Sequence, residues 1–282
     1  MHAEPIELPL ASGLTLRGLA FGPADAPPIV ALHGWLDNAM SFAPLAGAMC
    51  EWRLLSIEWP GHGHSDHRPS GVWYHFADYL EDLELLLDAL DMEQALLLGH
   101  SLGGAVASLY AAVRPERVER LWLIEGLGPL SHPSEHAATA LAEALAARHR
   151  LRERAETPTY PDPEPLIIAR ARAGAFAPEA ARLLIERSLE RDSEGWRWRS
   201  DSRLTVPSPF RLCEETVIAL LAAIQCPVAL VLADPPSAIT RQTDMERRLA
   251  AIRRLRLLKL PGSHHLHMEN PQAVADFFKA SL

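Results

Sequence analysis

Cysteine is scarce in this 282-residue sequence: Cys50, Cys213 and Cys226 are odd in number and far apart. That excludes a disulfide framework and points to reduced thiols in a cytosol, with packing as their role. No stretch approaches the ~20 uninterrupted apolar residues that a bilayer span needs. The opening segment Met1–Glu7 carries acidic residues and no apolar run, so no secretory leader is expected. There is no internal repeat and no disordered tail. Lysine is missing between residues 127 and 215, where arginine is plentiful. A formal charge of −9 argues against general binding of nucleic acid or of an anionic membrane.

What remains is the composition of an ordinary soluble globular protein, 48% hydrophobic and 22% charged. Its length would suit about two domains, although α/β folds of roughly 250 residues commonly form one. Strand and helix patterns alternate through the first half. Ile6–Leu10 and Leu14–Phe21 read as an antiparallel hairpin, and Ile29–Leu32, Leu54–Glu58 and Ala95–Leu98 as further strands. Helices are expected near Phe42–Cys50, Tyr74–Leu90 and Gly103–Arg114. Arg120–Ile124, Val228–Ala233 and Leu255–Leu260 bring the count to eight strands, which predicts a mostly parallel sheet with helices on both faces. Between residue 127 and about residue 215 the strand signal vanishes. Ala/Leu/Arg/Glu helices take over, broken by proline clusters at Thr157–Pro165 and Val206–Pro209. The expected organisation is a core of residues 1–126 and 216–282 with a helical cap, residues 127–215, inserted after the sixth strand. The arginines of that cap read as a solvated helix face rather than an anion-binding lining.

Three segments carry chemistry. Gly99-His100-Ser101-Leu102-Gly103 follows a buried strand and opens a helix, the context of a nucleophile elbow, where glycines at 99 and 103 let neighbouring turns approach the serine. A serine hydroxyl needs a base, and the loop Pro261–Pro271 offers His264, His265 and His267. Three histidines so close could suggest a metal site, but a strand-to-helix loop suits a base better. His62-Gly63-His64-Ser65-Asp66-His67 fits the H-x-H-x-D-H zinc signature of metallo-β-lactamase-like hydrolases. It follows a strand in a Pro-Gly-x-Gly-x-Ser loop, and the order of elements before it is wrong for that family. No metal and no cofactor are therefore expected.

Taken together, His33-Gly34, Pro60-Gly61-His62-Gly63-His64-Ser65, Gly99–Gly104 and Gly262-Ser263-His264 resemble the α/β-hydrolase superfamily over nearly the whole chain. Within it, Ala31–Ala39, His67-Arg68-Pro69-Ser70-Gly71 and Tyr74-His75-Phe76 are similar to the serine hydrolase-like proteins. The resemblance implies an α/β-hydrolase fold and a cap-bearing serine hydrolase acting on a small-molecule carboxylic ester. It selects His264 as base, two residues after Gly262 and seven before Pro271, and leaves His265 and His267 as shell or packing residues. It assigns the oxyanion hole to the amides of Leu102 and Trp35, whose ring would also wall the acyl pocket. The acid stays open between two places. Asp234 stands two residues before the usual position after the seventh strand, which holds proline, while Glu125 ends the sixth strand and is favoured. Asp244 is a third candidate. Glu58, where aspartate is commoner, reads as a structural change. Another acyl or carbon–carbon bond hydrolase, or a non-catalytic ligand receptor on the same fold, is the alternative function. Neither the oligomeric state nor the acyl and alcohol groups can be read from the sequence.

Overall fold

The computed structural model describes residues 3–153 and 158–282. Met1 and His2, at the head of the acidic opening segment, and residues 154–157, with Thr157 at the start of the first proline cluster, lie outside the described residues. In chain order the first half runs β1 (Ala3–Pro9), β2 (Thr15–Phe21), β3 (Pro28–Leu32), α1 (Ala43–Ala48), β4 (Arg53–Ile57), α2 (Asp78–Ala89), β5 (Ala95–His100), α3 (Leu102–Val113) and β6 (Val118–Ile124). Then follow α4 (Ala137–Glu153), α5 (Glu164–Gly174), α6 (Pro178–Ser188), β7 (Leu189–Arg191) and β8 (Trp196–Trp198). The chain closes with α7 (Glu214–Ala222), β9 (Val228–Ala233), α8 (Met245–Ala251), β10 (Leu255–Leu260), α9 (Leu266–Glu269) and α10 (Pro271–Lys279).

The eight-stranded sheet expected from the sequence is present, ordered β1-β2-β4-β3-β5-β6-β9-β10. Only β2 departs from the parallel set, pairing antiparallel with both β1 and β4. β5 and β9 are buried along their whole length, which is why Ala95–Leu98 and Val228–Ala233 read as continuous apolar runs and not as alternating ones. β10 at the edge carries Arg256 and Lys259 among its outward positions, a charged edge that discourages pairing with another sheet. Leu83, Leu86, Val106, Tyr110 and Leu221 from α2, α3 and α7 cover one face. Phe42, Leu45, Val274 and Phe278 cover the other, where Phe278 stacks on Trp122 with ring centroids 5.0 Å apart.

The segment between β6 and α7 has its own apolar cluster of Ile167, Ala171, Phe176, Leu184 and Ile185, joined by Met268 from α9. Met268 follows β10, so this cluster rests beside the C-terminal ends of the strands, where ligand sites form in parallel sheets. One expectation fails here. The region read as free of strands contains the β7–β8 hairpin, with Leu189 opposite Trp198. Asp192 closes its turn by accepting the amides of Glu194 and Gly195. Three-residue strands are too short for a two-residue period to stand out from helical text. The helix expected from Tyr74 starts instead at Asp78, and Tyr74 lies outside it with its hydroxyl donating to Asp201 at 2.8 Å.

Candidate active site

At the end of β5 the backbone of Ser101 turns into the left-handed region, φ 51° and ψ −111°, a conformation that costs a non-glycine residue energy and persists only where its surroundings impose it. Those surroundings are visible. The Ser101 amide donates to the Ile124 carbonyl at 3.0 Å, and the Ser101 carbonyl accepts from Ala105 at 2.9 Å. A side chain at Gly99 would strike the Gly104 backbone, and one at Gly103 would strike the Leu32 carbonyl. Both glycines expected at the elbow are therefore required by close approach.

Glu125 sits one strand over, at the end of β6, and its backbone is also left-handed, with φ 52°. Its amide continues the sheet ladder to the Val231 carbonyl at 2.9 Å. Its carboxylate is 2% exposed as part of the residue and is held from three sides: Oε1 accepts the Ala233 amide at 2.6 Å, and Oε2 accepts the Thr240 hydroxyl and His264 Nδ1, each at 3.0 Å. Burial opposes its charge, but these hydrogen bonds, led by His264, win and hold it below the usual carboxylate range. An ionised carboxylate only accepts, so Nδ1 of His264 carries the proton and Nε2 is the basic nitrogen. Among the described residues, Nε2 of His264 and Oγ of Ser101 have no hydrogen-bond partner.

Asp234 and Asp244 are elsewhere. Asp234 is exposed, and its amide caps the β10 register on the Leu260 carbonyl at 2.8 Å. Asp244 caps α8, accepting the Arg247 amide at 3.3 Å. Of the three carboxylates weighed, Glu125 is the one that touches His264.

The amides of Trp35 and Leu102 donate to no described residue. His33 prepares the first of them: its Nε2 accepts the Trp59 amide at 3.2 Å, so its Nδ1 must donate to the Gly34 carbonyl at 2.7 Å. Burial pushes the His33 ring down to about 4 and so keeps it neutral. The Gly103 amide donates to the His33 carbonyl at 3.2 Å, tying this loop to the start of α3. Trp35 itself is 52% exposed, and its indole donates to the Leu204 carbonyl at 3.1 Å. It reaches out to the inserted segment instead of packing beneath its loop.

A family model described as the alpha/beta hydrolase fold matches residues 27–208. This chain belongs to the α/β-hydrolase family. A serine hydrolase-like protein of Dictyostelium discoideum is 32% identical over 288 aligned residues, 96% of this chain and 79% of that one. A serine hydrolase-like protein of Danio rerio is 29% identical, covering 97% of this chain and 86% of that protein. A crystal structure of a hypothetical protein from Pseudomonas aeruginosa PAO1 superposes with a TM-score of 0.89 at 40% identity, covering 99% of each chain.

In this α/β hydrolase the H-x-H-x-D-H segment does not converge. His62 is buried with Nδ1 at the Pro60 carbonyl, Asp66 accepts from Thr15 and Arg17, and His67 reaches the Arg199 carbonyl at 2.7 Å. Metal-like spacing occurs instead at Asp37, His100 and His265, all buried. The Arg170 guanidinium lies 2.5 Å from Asp37 Oδ1 and 3.4 Å from His265 Nε2. A cation is thus already supplied there, and a divalent ion would have to displace it, so these donors fit an ion pair and not a metal.

That arginine corrects the reading of the inserted segment as having merely a solvated basic face. Arg170 grips Asp37 and Arg187 grips the fully buried Glu58 at 2.6 and 3.0 Å, while Arg203 donates to the Arg68, Pro69 and Val72 carbonyls. Long guanidinium side chains fasten the segment to carboxylates below it. Glu58 also accepts the His64 and Ala39 amides, which agrees with the structural part expected of it. His265 and His267 are buried as expected, His267 against Ser41 at 2.8 Å. Sequence reasoning passed over Asp37, Arg170 and Thr240. Only Asp37 had a signal, as part of the Trp-Leu-Asp-Asn wording after the His33-Gly34 pair.

Proposed function

We propose that this protein is a serine esterase: His264 takes the proton of Ser101, and Ser101 attacks an acyl carbonyl. The ester C–O bond breaks as His264 gives that proton to the leaving alcohol, and water activated by the now neutral His264 then releases the acyl group as an acid. The observation that carries this reading is the 3.0 Å contact between His264 Nδ1 and the buried Glu125 carboxylate, which leaves the other ring nitrogen free for the serine. Glu125 fixes the tautomer and stabilises the imidazolium. The Trp35 and Leu102 amides receive the oxyanion. Residues 127–215 act as a cap over this centre, tied to it by the Trp35–Leu204 contact. An open groove of about 510 Å³ between α4 and Thr205–Val206 adjoins that tie. The reacting residues do not line it. No helix of the described residues is long and apolar enough to cross a membrane, and Cys50, Cys213 and Cys226 are unpaired.

The test uses a fluorophosphonate probe and short p-nitrophenyl esters. Wild type is expected to be labelled and to turn over, and Ser101→Ala to do neither; equal behaviour of the two chains sinks the mechanism. Tight binding of a small molecule without turnover would favour the receptor reading.

A further inference from the structure

We propose that Arg170, carried by α5 of the cap, is a positioning residue for the base: by clamping Asp37 it holds the loop that presents His264, so the seated cap sets the alignment of the catalytic pair. This rests on the serine-esterase reading above. The chain of contacts is short and buried. Arg170 Nη2 meets Asp37 Oδ1 at 2.5 Å, and the Asp37 side chain is 1% exposed. Asp37 Oδ2 accepts His265 Nε2 at 3.2 Å, one residue beyond the base, and lies 3.4 Å from His100 Nδ1, one residue before the nucleophile. His100 Nε2 then donates to the backbone carbonyl of His264 at 2.9 Å. One carboxylate is therefore hydrogen-bonded to the neighbour of the base and lies beside the neighbour of the nucleophile, whose ring is itself fastened to the base's own carbonyl.

The apolar contacts run the same way. The Phe176 ring stands 4.5 Å from the His265 ring, and Met268 of the histidine loop completes the cap's own cluster. The cap roofs this loop with both an ion pair and packed side chains. The guanidinium is not a spare charge waiting for an anionic substrate, because Asp37 consumes it. Burial opposes the charge on Asp37, and the His265 ring and the Arg170 guanidinium outweigh it. Removing Arg170 strands a buried carboxylate, which must draw in water or turn away, and either response releases His265. Misplacement of a reacting group by about 1 Å costs on the order of 10²-fold in rate.

The measurement compares inactivation by a small fluorophosphonate, which reports on Ser101 and His264 without filling the cap, with kcat and KM on a short p-nitrophenyl ester. Arg170→Gln is expected to slow labelling and kcat together by roughly 10- to 100-fold while KM stays near wild type, and Arg170→Lys to recover most of the loss. Asp37→Asn should slow labelling similarly, and Arg170→Gln with Asp37→Asn should be no slower than either alone, because the two act as one unit. Arg187→Gln is the control: it loosens the cap through Glu58 without touching the histidine loop. The inference is overturned if Arg170→Gln labels at the wild-type rate, if it only raises KM, or if Arg187→Gln slows labelling as much. Should Arg170→Gln not fold, Asp37→Asn carries the same test with the same two outcomes. A wild-type chain that is not labelled at Ser101 sinks the esterase reading instead.

Discussion

Two residues at this site, Ser101 and Glu125, hold left-handed backbones although neither is glycine. The sheet imposes both, since each amide is spent on the neighbouring strand, at Ile124 and Val231. Strain of this kind aims a side chain out of the strand end, which is what the proposed mechanism asks of Ser101 and Glu125. Glu125→Gln is expected to lower kcat by about 10³- to 10⁴-fold, because the amide no longer fixes the imidazole tautomer. Asp234→Asn should leave kcat near wild type. Ester kinetics on the two chains decide the matter, and the reverse order would hand the role to Asp234. Ser101 and His264 stand out in the sequence as candidates because local glycines and a proline frame them. The choice of Glu125 over Asp234 followed from strand ends and the proline at 236. Arg170 left no trace there: it meets Asp37 across 133 residues, and no local pattern encodes so distant a pairing.

Helices and strands were legible where their periods run long. The strands of the large sheet appeared within a residue or two of their true ends, except that β1 starts three residues before Ile6, whereas β7 and β8 were lost among arginines and tryptophans. What joins elements was harder still to read. α3 can start at the elbow only because Gly103 lies against the Leu32 carbonyl and Gly104 against the backbone of Gly126. Gly103→Ala should therefore cost about 1–3 kcal/mol, since backbone and not a pliable side chain must move; urea unfolding measures it, and an unchanged midpoint would contradict the packing described. The α6–β4 junction depends on charge. Arg187→Met leaves Glu58, wholly buried, without its cation, and about 3–5 kcal/mol of stability should be lost. Exposed pairs such as Arg182 with Glu164 should matter far less when broken, by the same unfolding measurement.

The molecule as a whole keeps an unusual number of histidines dry. Burial pushes His33 down to about 4 and His62 to about 3, and holds His100, His265 and His267 below the ordinary range. In the unfolded chain these rings titrate near 6.5. Between that pH and their folded values the unfolded state binds more protons, so their contribution is complete above about pH 6.5 and drains away as the pH falls. Asp82, pushed up to about 7 by burial, has the opposite sign and offsets one of the five. The melting temperature should be level above neutrality and drop steadily from about pH 6.5 towards 4, with a slope of more than one proton per molecule. A curve flat down to pH 5 would contradict the neutral cluster. The placement of Glu125 has a consequence during synthesis as well. Ser101 and Glu125 end consecutive strands, so a growing chain on the ribosome brings them together early, while His264 arrives 139 residues after Glu125. Under the proposed mechanism, a chain whose β10 has not yet docked on β9 would carry Ser101 and Glu125 without their base, and would be inert towards an ester.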